Sequence, residues 1–345
     1  MIDRIIHSPT CYMQRIYNFS IHLSFMNILL TGGAGFIGSN LTKALLNNDR
    51  VQLVRVMDNF CTGYRQNLQD VSAHPKFELF EADITDFAAC EKAMIGIDLV
   101  SHQAALGSVP RSIEDPIRSN NTNVTGTLNI FTAAKNAGIK RIVYAASSST
   151  YGDSASLPKI EDIIGKPLSP YAITKYVMEL YADVFAKTYG MEFIGLRYFN
   201  VFGPHQSPKG AYAAVIPLFM DAVLNHIAPT INGDGSYSRD FTFIDNVVQA
   251  NTHALFTENS SAVNQVYNIA FGESTTLLQL FHTIREIADV SLEPHFAPFR
   301  KGDIPHSLAN IDKAKTLLNY NPTVSVRDGL KLSFDWYKIH RSFYQ

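Results

Sequence analysis

From about residue 27 to residue 200, short unbroken apolar runs alternate with longer stretches of helical period. The runs are Ile28–Thr31, Leu53–Met57, Phe77–Ala82, Leu99–Gln103, Ile142–Ala146 and Phe193–Arg197. Apolar runs without polar alternation mark strands buried on both faces, as in a parallel sheet covered by helices on each side. The pattern therefore predicts a doubly wound parallel α/β domain of Rossmann type over residues 26–200, with ligands beyond the carboxyl ends of the strands. After Asn200 the rhythm breaks at Pro204, Pro208, Gly210, Pro217, Pro229, Gly233 and Gly235, and again at Pro294, Pro298, Gly302 and Pro305. These breaks predict a smaller mixed α/β substrate lobe over 201–242 and 270–340, with the stretch 243–269 returning to the main domain. Residues 1–25 scatter Arg4, His7, Arg15 and His22 among apolar positions and lack the pattern of a signal peptide. They read as a disordered extension or as an upstream mis-assigned start, since Met26 stands directly before the first strand.

The first strand runs into Gly32-Gly33-Ala34-Gly35-Phe36-Ile37-Gly38, and a helical pattern opens from there. Strand, glycine turn and helix in this order form a phosphate cradle: the glycines let the backbone approach a pyrophosphate, and the helix start offers free N–H groups and a positive dipole end. Asp58 closes the second apolar run about 20 residues beyond Gly38, where a dinucleotide site places the acid that accepts the adenosine ribose hydroxyls. That carboxylate repels a 2′-phosphate, and Asn59, Phe60 and Cys61 follow it with no arginine among them. The expected cofactor is NAD.

Tyr171 and Lys175 stand four apart in a helical stretch, Tyr171 to Tyr189, which stacks them on one face. The lysine is expected to favour the phenolate and so depress the tyrosine pKa, tuning it to accept a proton from a hydroxyl. Ser147, Ser148 and Ser149 follow the Ile142–Ala146 run, which puts hydroxyls at a strand's carboxyl end. Alone, either feature reads as an ordinary surface pair or a serine-rich turn. Together, downstream of the glycine turn, they read as a catalytic set.

Composition narrows the partners. The 29 basic and 31 acidic side chains leave a formal charge of −2, which gives no case for nucleic acid or an anionic membrane. No apolar run is long enough to span a bilayer. Cys11, Cys61 and Cys90 have no metal-ligand spacing and read as reduced cytoplasmic thiols; no metal site is expected.

These motifs, with Asp83-Ile84, His102-Gln103-Ala104-Ala105, Asn123-Val124-Thr125-Gly126-Thr127 and Arg197-Tyr198-Phe199-Asn200-Val201-Phe202-Gly203-Pro204, resemble the extended short-chain dehydrogenases/reductases. The resemblance runs from Met26 to about Tyr337, on the nucleotide-sugar epimerase and dehydratase branch. It implies Tyr171, Lys175 and Ser147 as the catalytic residues. On the NAD side it implies Gly32, Gly35, Phe36, Ile37, Gly38, Asp58, Asn59, Asp83, Ile84, Gln103, Thr122 and Val201, together with Tyr171 and Lys175. Dehydratases of the branch carry Thr-Asp-Glu where this chain has Ser147-Ser148-Ser149, so the resemblance points away from water elimination.

Within the branch, Gly107-Ser108-Val109-Pro110-Arg111-Ser112, Gly210 to Pro217 and Ile231 to Gly235 are similar to bacterial UDP-N-acetylhexosamine and N-acetylhexosaminuronate 4-epimerases of surface-polysaccharide synthesis. The similarity implies a sugar pocket lined by Gly107, Ser108, Ser147, Ser148, Ser149, Asn200, Ala214, Val215 and Ser307, small enough for an N-acetyl group. It also implies a UDP handle of Arg239, Arg300 and Asp303, the arginines forking onto phosphate oxygens. The expected activity is 4-epimerisation through a transient 4-keto sugar on retained NAD. A UDP-glucose 4-epimerase, another nucleotide-sugar oxidoreductase or a dehydratase is the alternative. The Tyr171 helix shows two apolar stripes, Ile173/Val177/Leu180/Val184 and Tyr181/Phe185. One stripe suffices for a surface helix, so the second is expected to meet a partner subunit in a homodimer.

Overall fold

The computed structural model describes residues 25–209, 213–299 and 304–340. The expected extension over 1–25, apart from Phe25, lies outside them, as do Gly210, Ala211, Tyr212, Arg300 and Asp303. Six strands of the main sheet are β1 (Met26–Thr31), β2 (Val51–Asp58), β3 (Phe77–Glu81), β4 (Leu99–His102), β5 (Arg141–Ser147) and β6 (Glu192–Tyr198). The strand Gln265–Ile269 completes it, and the order is Gln265–Ile269, β6, β5, β4, β1, β2, β3. Every pairing is parallel. The order reverses between β1 and β4, and at such a switch point a crevice opens beyond the strand ends.

Alternate residues of each strand feed two separate cores, which is why the runs are apolar throughout. Ile28 and Leu30 of β1 pack with Leu41 and Leu45 of α1 (Phe36–Leu46). Leu29 points the other way, into a core with Cys90 of α2 (Phe87–Ala93). The short helices α3 (Val109–Glu114) and α4 (Pro116–Asn120) follow β4. Beyond them α5 (Gly126–Asn136) adds Phe131, whose ring lies 4.8 Å from that of Phe193 in β6.

The helix α6 (Pro170–Tyr189) starts at an N-cap serine, Ser169, followed by Pro170, and stops at Gly190 in the left-handed region. Its inward face differs from the expectation. Phe185, assigned to the partner-facing stripe, is buried in this chain against Phe131. Ile173, Leu180 and Val184 are the exposed ones. The reason is that α6 turns Lys175 and Glu179 inward along with Met178 and Ala182. A polar pair on the buried face defeats a reading by apolar stripes.

The remaining helices are α7 (Val215–Leu224), α8 (Ile244–Phe256), α9 (Leu277–Ala288), α10 (Asp312–Leu318) and α11 (Val326–Ile339). Of these, α8 packs on α1, while α7 and α9 pack through Phe219 and Phe281, with ring centroids 5.8 Å apart. Short strand pairs join the second region: Thr230–Asn232 with His295–Ala297 in parallel, and Ser238–Arg239 with Thr275–Thr276 antiparallel. Among the described residues no helix is long and apolar enough to cross a membrane.

Candidate active site

The glycine turn is as tight as its sequence implies. A Cβ on Gly38 would lie 2.1 Å from the Gly32 carbonyl oxygen, and one on Gly32 would lie 2.7 Å from the Ala104 backbone. The N-cap of α1 is Gly35, which has no side chain to cap with, so the first-turn N–H groups receive no side-chain partner there. Gly32, Gly35, Phe36, Ile37 and Gly38 line a cavity of about 320 Å³ together with Asp58, Asn59, Asp83, Ile84, Gln103, Thr122, Tyr171 and Lys175. These side chains fit a dinucleotide: an uncapped helix start for the diphosphate and acids at the far end for the adenosine hydroxyls. Val201 is not in that lining; it sits in the strand Val201–Phe202, paired with Thr242.

Asp58 also holds the turn. Its two carboxylate oxygens accept the Ala34 N–H at 2.9 Å and the Phe60 N–H at 2.8 Å. Burial raises its pKa and these two bonds oppose the rise. Asp83 accepts from the Asn59 amide at 2.7 Å and from both the Thr85 N–H and hydroxyl. Its pKa lies below the usual carboxylate value because those donors, helped by Arg118, outweigh burial.

At the reacting end, the Ser147 hydroxyl accepts the Ser149 N–H at 3.1 Å, and Ser147 acts on the Tyr171 phenol by lowering its pKa. The expectation that Lys175 depresses the tyrosine pKa does not hold. Burial raises the Tyr171 pKa above its ordinary value, and the one opposing influence is Ser147. The Lys175 ammonium instead donates to the Ala145 carbonyl at 2.6 Å and stands 6.0 Å from the Tyr171 ring centre. Burial itself pulls Lys175 down to about 8, against an opposing push from Glu179. Tyr171 thus gains its base form as pH rises, and Ser147 moves that gain to lower pH. Ser147→Ala is expected to shift the acid limb of the kcat–pH profile upward and to lower turnover at neutral pH on the order of 10- to 100-fold.

The residues assigned to the sugar are placed less uniformly. Gly107 lines the cavity, and a Cβ there would meet nothing within 4 Å. Ser108 caps α3 with φ +92°, and Ser148 and Ser149 form the turn after β5. Asn200 donates its amide to the Asp240 carbonyl, and Ser307 N–H bonds the Ser238 carbonyl. Ala214 is the N-cap of α7 and Val215 its first residue. The Arg239 guanidinium donates to the carbonyls of Ser238 and Pro305, at 2.8 and 3.1 Å. Its expected companions Arg300 and Asp303 fall outside the described residues.

Sequence reasoning missed several lining residues: Cys61, Thr62 and Gly63 after the second strand, Leu106 after the fourth, and Tyr198 at the end of β6. The Tyr198 hydroxyl meets Gln103 at 3.0 Å and Asn251 at 3.1 Å. Each follows or ends a strand at its carboxyl end, the position rule that found the others. His102, which opens the motif before Gln103 and has no role assigned from sequence, is buried between the hydroxyls of Thr31 at 2.7 Å and Thr127 at 2.9 Å. Burial and Lys175 hold its pKa down near about 3, so the ring is neutral. No cluster of three or more His, Cys, Asp or Glu side chains suited to a metal ion occurs among the described residues.

A family model described as the NAD-dependent epimerase/dehydratase family matches residues 28–270. The UDP-N-acetylglucosamine 4-epimerase of Methanobrevibacter ruminantium M1, solved with UDP-N-acetylmuramic acid, is 36% identical with a TM-score of 0.86, over 91% of this chain and 98% of that one. The UDP-glucuronic acid 4-epimerase of Bacillus cereus, solved with UDP-glucuronic acid and NAD, is 33% identical with a TM-score of 0.85, over 91% and 99%. The UDP-glucose 4-epimerase of Mycolicibacterium smegmatis is 33% identical over 315 residues, covering 91% of this chain and 99% of its own length.

Proposed function

The chain belongs to the NAD-dependent epimerase/dehydratase family, and from that premise we propose that it is a UDP-N-acetylhexosamine 4-epimerase of surface-polysaccharide synthesis. The coarser activity, NAD-dependent 4-epimerisation of a UDP-sugar, is that of relatives aligned over nearly the whole chain. The N-acetyl reading is carried by the open space beside Gly107, where even a methyl group would touch nothing within 4 Å. Ser307 and Ala214 also carry small side chains. The uronate form of the sugar is included in this reading. Ser147, Ser148 and Ser149 supply no carboxylate at the strand end, and elimination of water needs an acid and a base there.

NAD, when bound, supplies a two-electron acceptor that is restored in each cycle. Gly32, Gly35 and the start of α1 hold its diphosphate, and Asp58 its adenosine ribose. Tyr171 takes the proton of the sugar 4-hydroxyl and later returns one to the same oxygen. Ser147 donates to the phenolate and so holds it ready. Arg239 anchors the diphosphate of UDP in the lobe over 201–242 and 270–340. Binding energy placed there, away from the reacting carbon, leaves the sugar free to turn over. Ser307→Tyr is expected to abolish turnover of UDP-N-acetylglucosamine while leaving UDP-glucose turnover in place. Equal losses on both sugars, read by proton NMR, would remove the N-acetyl assignment.

The second copy of this chain is the proposed partner. Ile113 and Ile117 on α3 and α4 and Ile173, Leu180 and Val184 on α6 form an exposed apolar face, with Ile117 82% and Leu180 49% accessible. Light scattering is expected to show a dimer at micromolar concentration, and Ile117→Glu with Leu180→Glu a monomer. A monomeric wild type contradicts the homodimer.

A further inference from the structure

We propose that Ser112 is a positioning residue for the reaction: it ties the segment that receives the sugar to the backbone of Tyr171, so that pocket and base move as one body. The inference rests on reading Tyr171 as the acid–base group. Tyr171 is the second residue of α6, and its N–H is one of those that a helix start leaves without an intrahelical partner. Ser169 caps the Ala172 N–H. The Tyr171 N–H goes instead to the Ser112 hydroxyl oxygen at 3.0 Å, 59 residues away in sequence. The same hydroxyl donates its hydrogen to the Val109 carbonyl at 2.7 Å, which turns its lone pairs toward Tyr171. Ser112 itself is fully buried.

The other end of the tie is the sugar segment. Ser112 sits on α3, which opens at Ser108, whose φ of +92° is rare for a residue with a side chain. Arg111 reaches back to the Gly107 carbonyl at 3.2 Å, and its N–H bonds the Ser108 hydroxyl at 3.4 Å. Gly107 and Ser108 are therefore fastened to the turn that carries Ser112. A second route leads to the same segment. The Tyr171 carbonyl accepts the Thr174 hydroxyl at 2.8 Å, and Thr174 accepts the Asn123 amide at 3.1 Å. Asn123 then brackets Leu106, accepting its N–H at 2.7 Å and donating to its carbonyl at 3.1 Å. It does so from a π-helical turn, Asn121–Thr125, an irregularity frequent at functional sites. Both backbone polar groups of Tyr171 thus lead back to residues 106–112. Capping of α6 requires only Ser169; the long-range bonds add a fixed position.

The test compares Ser112→Ala, Ser112→Thr, Thr174→Val and Tyr171→Phe in the full chain. Ser112→Ala is expected to lower kcat on the order of 10- to 100-fold, the scale of a small misplacement of a reacting group, with the KM for the UDP-sugar little changed. The acid limb of its kcat–pH profile moves to higher pH, because a displaced phenol loses part of the lowering that Ser147 provides. Ser112→Thr restores both, since it restores the hydroxyl. Thr174→Val breaks the second route and shifts the limb the same way, which keeps the test open if Ser112→Ala does not fold. A wild-type kcat and limb in Ser112→Ala and Thr174→Val, with Tyr171→Phe inactive, overturns this inference alone. So does a lowered Tm with an unmoved limb. Full turnover in Tyr171→Phe overturns both the inference and the assignment of the base.

Discussion

Tyr171→Phe is expected to lower turnover by roughly 10²- to 10⁴-fold, the range of a lost general acid–base group, while the fold and the bound NAD are retained. Tyr171 lines the cofactor cavity, and Ser147 is the one group that draws its pKa down against burial. Phenylalanine keeps the ring and its packing but can neither take nor return a proton. The neighbouring groups cannot replace it. Lys175 is committed to the Ala145 carbonyl and His102 is sealed between two threonine hydroxyls. Circular dichroism and NAD content are expected to match the wild type. Turnover within a few-fold of the wild type would remove Tyr171 from the chemistry.

The largest effect on stability is expected at Arg197. Its guanidinium makes a two-pronged ion pair with Glu179, at 2.9 and 2.7 Å, and donates a third bond to the Glu161 carbonyl at 2.8 Å. Both side chains are almost wholly buried, Arg197 on β6 and Glu179 on α6. Arg197→Met leaves the Glu179 charge buried without its partner, which costs about 3–5 kcal/mol, a fall in Tm on the order of 10 °C. Arg197→Met combined with Glu179→Leu is expected to recover most of that loss, since well-packed apolar pairs often equal the buried pair they replace. Calorimetry on the two variants checks both statements. A single variant as stable as the wild type would show that the pair does not hold α6 to the sheet.

Local signals made the fold legible. Strand-length apolar runs, a glycine turn opening a helix and an acid about 20 residues later are all written in contiguous residues. The serine turn after β5 and the Tyr171/Lys175 spacing were legible for the same reason. What sequence could not supply was the partner of each polar group. The partner of Lys175 is a strand carbonyl, set by how α6 packs on β5. The outward stripe of α6 was misassigned because its inward face carries Lys175 and Glu179, whose partners lie on other elements. Asp58 reads as a ribose acceptor from spacing alone, whereas its grip on Ala34 depends on a turn 24 residues earlier. Ser112 was legible only as the end of the Gly107–Ser112 motif, since a buried serine gains its role from the helix start that faces it.

The central claim is that this chain inverts C4 of a UDP-sugar with the hydrogen kept inside the site, Tyr171 handling only the hydroxyl proton. The direct measurement places deuterium at C4 of UDP-N-acetylglucosamine and follows its conversion, without added cofactor, by NMR. The expected product is the C4 epimer with deuterium still at C4. Deuterium lost to water during inversion, or no inversion of any UDP-sugar by protein that holds NAD, would contradict the account.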